Sequence, residues 1–368
     1  MNNPRIIISG GGTGGHIFPA LSIAGSIKAL FPEAEILFVG AEGKMEMERV
    51  PAAGYRIIGL PVAGLQRSLS PKNLALPFKV AKSVRKAGQI LQEFKPDVVV
   101  GVGGYASAPL LWSAQRKGIP CLIQEQNSYA GLTNKILARK AARICTAYEG
   151  MERFFPADRI LLTGNPIRSE IAPATSAQRE EGYRFYGLDP DKKTLFVVGG
   201  SLGCGTLNRV MRDWVEHRAA QADYQVIWQC GKFYKEGVDA FMQGRSVPNL
   251  FYTDFIKRMD LAYAVADLLV SRAGAGTISE LCVAGKATIF VPSPNVAEDH
   301  QTHNAMALVE KNAALMVRDA DADARLLDTV EGLLTDDARL ADLERNILKL
   351  GRKDASEVIA KEVLKLIK

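Results

Sequence analysis

Arg5-Ile6-Ile7-Ile8-Ser9-Gly10-Gly11-Gly12-Thr13-Gly14-Gly15-His16 decides the fold of this chain. A short apolar run of strand character meets five glycines in six positions, Gly10 to Gly15, and a helix is expected to begin near Pro19. Glycine lets the backbone approach a ligand closely, and a helix N-terminus offers unpaired N–H groups and a positive dipole to phosphate. The stretch is not a G-x-G-x-x-G dinucleotide turn, since the strand ending at about Phe38-Val39 runs into Gly40-Ala41-Glu42. The plain alternative is a tight strand-to-helix turn with no ligand.

Working outward, the same strand-turn-helix order recurs. Ile6–Ser9, Ile36–Val39, Val98–Val102, Cys121–Ile123, Ile144–Thr146 and Ile160–Thr163 read as buried strands, with helical periodicity at Ala20–Leu30, Leu110–Lys117 and Leu132–Ala142. Asn165-Pro166, Pro173 and the polar stretch Ala174–Glu181 read as a connector. The alternation resumes with strands at Leu195–Val198, Val226–Gln229, Leu250–Tyr252, Leu268–Ser271 and Ile289–Val291. Such alternation predicts right-handed β-α-β units around parallel sheets. The expected division is residues 1–166 and 167–351, with a lysine-rich amphipathic helix near 352–368 packing back on the first domain. A chain of 368 residues fits two such cores.

Composition excludes other classes. With 47% hydrophobic and 23% charged residues the chain is globular, and no apolar run reaches the roughly 18 residues of a membrane span. The N-terminus shows no basic segment, apolar segment and cleavage site in series, which predicts a cytoplasmic protein. Cys121, Cys145, Cys204, Cys230 and Cys282 are scattered and never form C-x-x-C, so buried free thiols are expected. Glu298, Asp299, His300 and His303 lack a third ligand cluster elsewhere, so no metal site is read and no cofactor is called for. The net charge of +6 comes from 46 basic and 40 acidic residues. Between Val62 and Gly88 lie Arg67, Lys72, Lys79, Lys82, Arg85 and Lys86 with no acid among them.

The chemistry-bearing residues gather where strands end. His16, at the entry to the first helix, has the chemistry to donate to a phosphate or to accept a proton. Gly101-Val102-Gly103-Gly104-Tyr105 follows a strand, and Gln124-Glu125-Gln126-Asn127-Ser128 follows the next; Glu125 and Asn127 suit sugar hydroxyls, or a helix-capping network. In the second half Gly199-Gly200-Ser201-Leu202-Gly203 opens a helix near Thr206. Ser271-Arg272-Ala273-Gly274-Ala275-Gly276-Thr277-Ile278-Ser279-Glu280 opens another near Thr277, with Glu280 placed to accept from a ribose diol or to complement the helix dipole. Asp299, Gln301 and Asn304 form a polar turn suited to a sugar.

These motifs resemble the MurG family, the peptidoglycan N-acetylglucosaminyltransferases. The resemblance rests on GGTGGHIFPA (11–20), GVGGYASAP (101–109), EQNSYAGLTNK (125–135), TGNPIR (163–168), GGSLG (199–203), SRAGAGTISE (271–280) and Q-x-x-N-A (301–305), in family order over nearly the whole chain. It implies a GT-B fold, an α/β architecture of two Rossmann-like doubly wound domains facing across a cleft. It also implies transfer of N-acetylglucosamine from UDP-N-acetylglucosamine to the C4 hydroxyl of the muramic acid of lipid I, with inversion, giving β-1,4-linked lipid II.

By the same resemblance Thr13, Gly14, Gly15, Asn127, Arg168, Ser201, Ile256, Ala275, Gly276, Thr277, Ile278, Ser279, Glu280 and Gln301 contact the donor. Glu280 would hold the ribose, Ser201 the diphosphate, the Ile256 region the uracil and Gln301 the transferred sugar. Gly14, Gly15, Gly103, Gly104 and Tyr105 would hold the acceptor's diphosphate. His16 is the first candidate for the proton acceptor and Glu125 the second. Cys204-Gly205 departs from the commonest family pattern, which bears on helix packing.

A lipid acceptor gives the basic segment a role at an anionic leaflet, on the cytoplasmic face of the bacterial inner membrane. Leu74, Leu76 and Phe78 with Lys72, Lys79 and Lys82 would make the contact, each charge contributing roughly 1 kcal/mol; an ordinary amphipathic helix with its leucines in the core is the alternative. Other cell-wall synthesis or division proteins are further expected partners. A nucleic-acid partner is not expected, because only Phe78 interleaves with the basic residues. Two competing functions remain at this level: a glycosyltransferase of the same fold with another acceptor, and a non-catalytic nucleotide-sugar-binding subunit.

Overall fold

The computed structural model describes residues 3–62 and 76–367. The chain divides into two compact units, Met1–Arg168 with Arg352–Lys368, and Ser169–Gly351.

In the first unit the described strands are β1 (Arg5–Ser9), β2 (Glu35–Ala41), β3 (Arg56–Leu60), β4 (Val98–Gly101), β5 (Cys121–Glu125), β6 (Arg143–Thr146) and β7 (Ile160–Leu162). They form one parallel sheet in the order β3-β2-β1-β4-β5-β6-β7. The helices are α1 (Gly14–Leu30), α2 (Glu46–Ala52), α3 (Leu76–Phe94), α4 (Ser107–Arg116) and α5 (Leu132–Ala138). A sheet covered on both faces needs strands that are apolar on both, and Ile6, Ile7 and Ile8 are completely buried. Alternate residues serve opposite faces. Ile7 joins Leu37, Val99 and Ile123 beneath α4 and α5, while Ile6 and Ile8 join Ile23 and Ile27 of α1.

The second unit has the strands β8 (Lys193–Val198), β9 (Tyr224–Gln229), β10 (Leu250–Thr253), β11 (Leu268–Ser271), β12 (Thr288–Phe290) and β13 (Leu315–Met316). They form a parallel sheet in the order β10-β9-β8-β11-β12-β13. Around them lie α6 (Ser176–Tyr186), α7 (Gly205–His217), α8 (Lys235–Met242), α9 (Met259–Val265), α10 (Ala275–Ala284), α11 (His300–Val309), α12 (Ala322–Leu334) and α13 (Asp337–Leu348). Leu195 and Val197 pack with Leu207, Met211 and Trp214 of α7 and Leu326 and Val330 of α12. The two buried tryptophans have partners: Trp214 donates to Tyr224 at 2.7 Å and Trp228 to Asn208 at 2.9 Å.

The last helix, α14 (Ala355–Lys365), returns to the first unit. Its Ile359, Ala360 and Val363 are buried in the α1 face of that core, and Glu362 pairs with Arg143 at 3.0 Å.

Three readings are corrected. The polar stretch around Ala174–Glu181 is not a plain connector but runs into α6, opened by a capping box between Thr175 and Gln178; the T-x-x-Q spacing carried that signal. Helix α1 starts at Gly14 rather than near Pro19, so Pro19 lies inside it. Near the N-terminus this costs only the bond to the Gly15 carbonyl. Strands β3 and β13 were missed, the first interrupted by Gly59 and the second only two residues long.

The strand order of each sheet reverses once. The first winds outward from β1 and β4, the second from β8 and β11. In open parallel sheets, ligands bind beyond the strand ends at this switch point. Each glycine-rich turn follows one of these four strands.

Candidate active site

In the first unit the turns after β1 and β4 press together. Gly104 has φ +89°, and a Cβ on it would overlap the Gly11 carbonyl. Only glycine suits both the backbone angle and the approach. The Ser107 hydroxyl lies 3.0 Å from the Ser9 carbonyl and 2.9 Å from that of Gly103, joining the two strand ends. Thr13 is the N-cap of α1, and no side chain caps its first turn. Gly14 and Gly15 therefore begin the helix with amides that have no intrahelical acceptor.

His16 stands in that first turn. Its Nδ1 lies 3.1 Å from the Gly11 carbonyl and 3.3 Å from Thr13 Oγ1, and its Nε2 edge lies against Gly103. The structure thus gathers Thr13, His16, Gly103 and Gly104. Tyr105, the next residue, is exposed.

Glu125 has a different setting. It is buried, and its oxygens accept from the Asn127 N–H (3.0 Å), Asn127 Nδ2 (3.3 Å), the Gly131 N–H (3.3 Å) and Asn134 Nδ2 (2.8 Å). Burial pushes the carboxyl above its ordinary range, against these donors. The arrangement makes Glu125 a brace of the β5–α5 loop. Beside it, Gln126 donates to the Val102 carbonyl and to Gln124, Gln124 to Asn165, and Asn165 back to the Gln126 carbonyl. This buried amide circuit fixes the strand ends near Gly103. Arg168, the last residue of the first segment of this unit, is exposed.

In the second unit Gly199–Gly203 forms a tight turn closed by Gly203 N–H to the Gly200 carbonyl at 3.0 Å, with Ser201 and Leu202 exposed. Gly203 has φ +89°, and a Cβ there would overlap the Cys230 carbonyl of the loop after β9. Helix α7 begins at Gly205, and Cys204 serves as its N-cap, its Sγ accepting the Leu207 N–H at 3.5 Å. The family departure at Cys204 is thus a thiol in a capping position. All five cysteines are buried and free, and burial raises those of Cys121, Cys145 and Cys282 to about 12.

Helix α10 starts at Ala275 with no capping side chain and no acid in its first turn. Ala275, Gly276 and Thr277 provide its first amides, while Ile278 turns into the core and Ser279 bonds back to the Ala275 carbonyl. Glu280 lies in the second turn, not the first, where it accepts from the Tyr263 hydroxyl at 3.2 Å. That position removes the dipole explanation, since the effect is confined to the first turn.

Three side chains to which the sequence reading gave no role brace these loops, each within its own unit. Glu46 accepts the Gly12 N–H at 3.0 Å and the Ala41 N–H at 2.9 Å. Gln229 donates to the Gly200 carbonyl at 3.0 Å and accepts the Ile256 N–H at 2.9 Å. Arg272 reaches the Val291 and Pro292 carbonyls at 2.9 Å and Asp319 at 2.6 Å. Gln301 works similarly, its Oε1 accepting from Ala273 (3.2 Å) and Ser293 (2.8 Å). Just ahead of it, Glu298 and Asp299 both hold φ of +50°, a strained entry to α11.

Beside Tyr105 a groove of about 470 Å³ opens between α3, α4 and α5, lined by Val62, Val80, Tyr105, Trp112, Ile136 and Leu137. Lys79 and Lys82 are exposed on α3. Lys72 and Leu74 lie outside the described residues, as do the side chains of Leu76 and Phe78. No helix among the described residues is long and apolar enough to cross a membrane.

Comparison with known proteins matches this arrangement to a family. A model of the glycosyltransferase family 28 N-terminal domain covers residues 6–146, and one of the C-terminal domain covers residues 194–359. The chain belongs to glycosyltransferase family 28. It is 55% identical over 367 residues to a UDP-N-acetylglucosamine--N-acetylmuramyl-(pentapeptide) pyrophosphoryl-undecaprenol N-acetylglucosamine transferase of Parabacteroides distasonis, covering 100% of this chain and 99% of that one. It is 53% identical to the protein of that name from Cytophaga hutchinsonii, covering 99% and 97%. Among solved structures, Acinetobacter baumannii MurG superposes with a TM-score of 0.80 at 26% identity over 99% of this chain and 100% of that one. A UDP-N-acetylglucosamine 2-epimerase, at 12% identity and a TM-score of 0.63, shares the fold alone. For a family 28 glycosyltransferase, two Rossmann-like units with glycine turns at both switch points are the expected GT-B machinery.

Proposed function

We propose that the protein transfers N-acetylglucosamine from UDP-N-acetylglucosamine to the C4 hydroxyl of the muramic acid of lipid I, with inversion, forming the β-1,4 linkage of lipid II. The observation that carries this reading is end-to-end similarity to named N-acetylglucosamine transferases, combined with a glycine turn on each strand flanking both switch points.

The second unit takes the donor. The Gly199–Gly203 turn with Ser201, and the first amides of α10, receive the diphosphate; Ile256 borders the uracil, Glu280 the ribose and Gln301 the sugar. Negative charge grows on the diphosphate as the C1–oxygen bond breaks, and preorganised amides stabilise it best where water is excluded. Thr13, Asn127 and Arg168 add contacts from the first unit. That unit also takes the acceptor, with Gly14, Gly15, Gly103, Gly104 and Tyr105 at its diphosphate. His16 removes the proton of the C4 hydroxyl while that oxygen bonds to C1 and UDP leaves from the opposite face. Glu125, enclosed by four donors, supports the loop carrying Asn127.

His16→Ala is expected to lower turnover by about 10²- to 10⁴-fold, the range of a general base, with little change in donor affinity. The decisive assay is radiolabelled UDP-N-acetylglucosamine with a short-chain lipid I analogue. Donor binding without transfer would instead support a binding subunit.

Peripheral attachment to the cytoplasmic face of the inner membrane is part of the proposal. Val80, Tyr105, Trp112 and Ile136 are exposed apolar residues around one groove that Lys79 also lines, and Lys82 is exposed on the same helix. Exposed apolar surface bordered by lysines suits an anionic leaflet. Co-sedimentation with liposomes should rise with anionic lipid and fall with salt; binding indifferent to both would remove this part of the reading.

A further inference from the structure

The peptide joining Gly11 and Gly12 is held at both of its polar ends. Its N–H, on Gly12, donates to Glu46 Oε2 at 3.0 Å, and its carbonyl, on Gly11, lies 3.1 Å from His16 Nδ1. Glu46 is completely buried, and its other oxygen accepts the Ala41 N–H at 2.9 Å. It opens α2 after β2, the strand next to β1, so the neighbouring βα unit supplies a carboxylate beneath the glycine turn. Gly40 leaves room for it, since a Cβ there would come within 2.6 Å of Glu46 Cγ; a Cβ on Gly11 would overlap the carboxylate itself.

We propose that Glu46 is a positioning residue for His16, acting through the Gly11–Gly12 peptide in a carboxylate–peptide–imidazole relay that keeps the ring proton on Nδ1. The inference rests on His16 being the proton acceptor. A carbonyl oxygen only accepts, so its contact with Nδ1 requires the proton on that nitrogen and leaves Nε2 as the basic one. The Thr13 hydroxyl, 3.3 Å from the same atom, both donates and accepts and therefore selects neither tautomer. The carboxylate makes the selection firmer. An amide whose N–H serves a charged acceptor is polarised, and its carbonyl becomes the stronger acceptor. When Nε2 takes the hydroxyl proton, the new positive charge lies one peptide away from a negative one. No proton crosses the peptide.

The wild-type enzyme supplies the first test. Side-chain ¹⁵N resonances, assigned by their loss in His16→Ala, should show neutral His16 protonated on Nδ1; a proton on Nε2 overturns the proposal whether or not any Glu46 variant folds. Glu46→Gln sets an NH₂ group against one of two N–H donors. It should lower kcat by about 10- to 100-fold, leave the KM for UDP-N-acetylglucosamine within about twofold, and give a mixture of tautomers. Unchanged kcat, or an unchanged Nδ1–H signature alongside reduced kcat, also overturns it. Full turnover in His16→Ala would instead remove His16 as proton acceptor while the tautomer stood, so the two failures are separable.

Discussion

The turn after β1 and the turn after β8 occupy equivalent places in two sheets of like winding, yet they are tied down with opposite polarity. Beneath the first, Glu46 accepts a backbone N–H, that of Gly12, and the adjoining carbonyl meets His16. Beneath the second, Gln229 donates to a backbone carbonyl, that of Gly200, and no charged group is involved in the tie. A buried carboxylate suits a turn that orients an imidazole. It suits a diphosphate poorly: at about 6 Å and an effective dielectric of about 20, two like unit charges repel by roughly 3 kcal/mol. The neutral amide avoids that cost. Under the proposed division of labour, the donor's diphosphate then falls to the second turn, and the acceptor's diphosphate on the first is the more loosely held of the two.

The most damaging way to break this comparison is at the glycines that let neighbouring loops touch. Gly203→Ala forces a side chain into the Cys230 carbonyl at a left-handed φ, and Gly104→Ala does the same against Gly11. Each should cost about 3 kcal/mol or more locally, or roughly a hundredfold in the function of its own turn. Gly203→Ala should weaken UDP binding by roughly a hundredfold, whereas Gly104→Ala should lower turnover by about that factor while UDP binds as before. Calorimetric titration with UDP, paired with the transfer assay, separates them; loss of UDP binding in both would mean that the turns do not divide the labour.

A smaller perturbation isolates the charge. Gln229→Glu places a carboxylate where the amide was, facing the Gly200 carbonyl, while Gln229→Met leaves the same two backbone groups unpaired without charge. The methionine variant should weaken UDP binding by about tenfold, as an unpaired buried polar group costs roughly 1–3 kcal/mol. The glutamate variant should lose roughly a further tenfold or more through repulsion. Equal losses would show that polarity beneath the turn does not matter.

Much of this was legible in the sequence, and the reason is physical. Short β-branched runs such as Ile6–Ile8 and Val98–Val100, flanked by glycine clusters, fit strands buried on both faces, and those clusters mark the turns. The braces were not legible. Glu46 is one acidic residue in a polar helix start, and Gln229 ends an ordinary strand. Their roles arise from the strand order, which places β2 beside β1 and β9 beside β8, and linear spacing does not carry that information. Glu125 was singled out as a carboxylate among polar residues, but only its burial and four donors reveal a brace.

The least disruptive probe uses that last residue, because its carboxyl braces a loop of the first unit with a titratable group, whereas Gln301 braces loops of the second with an amide. Burial raises the Glu125 carboxyl above its ordinary 4.5, and the N–H donors only oppose the shift. The unfolded chain therefore releases this proton at lower pH than the folded one. As pH rises from the ordinary value through the raised one, the folded state holds more protons than the unfolded state, so stability falls across that window. Each unit of difference corresponds to about 1.4 kcal/mol. Glu125→Gln should be less stable at every pH, since its NH₂ faces donors, but its unfolding temperature should change less between about pH 4.5 and neutral than that of the wild type. Gln301→Leu, which breaks the equivalent tie in the second unit without removing an ionisable group, should leave the slope unaltered. Thermal unfolding of the three proteins across this range decides: a wild-type slope retained in Glu125→Gln would mean that the carboxyl titrates alike in the folded and unfolded chain, and the contrast between ionisable and neutral braces would then rest on Glu46 alone.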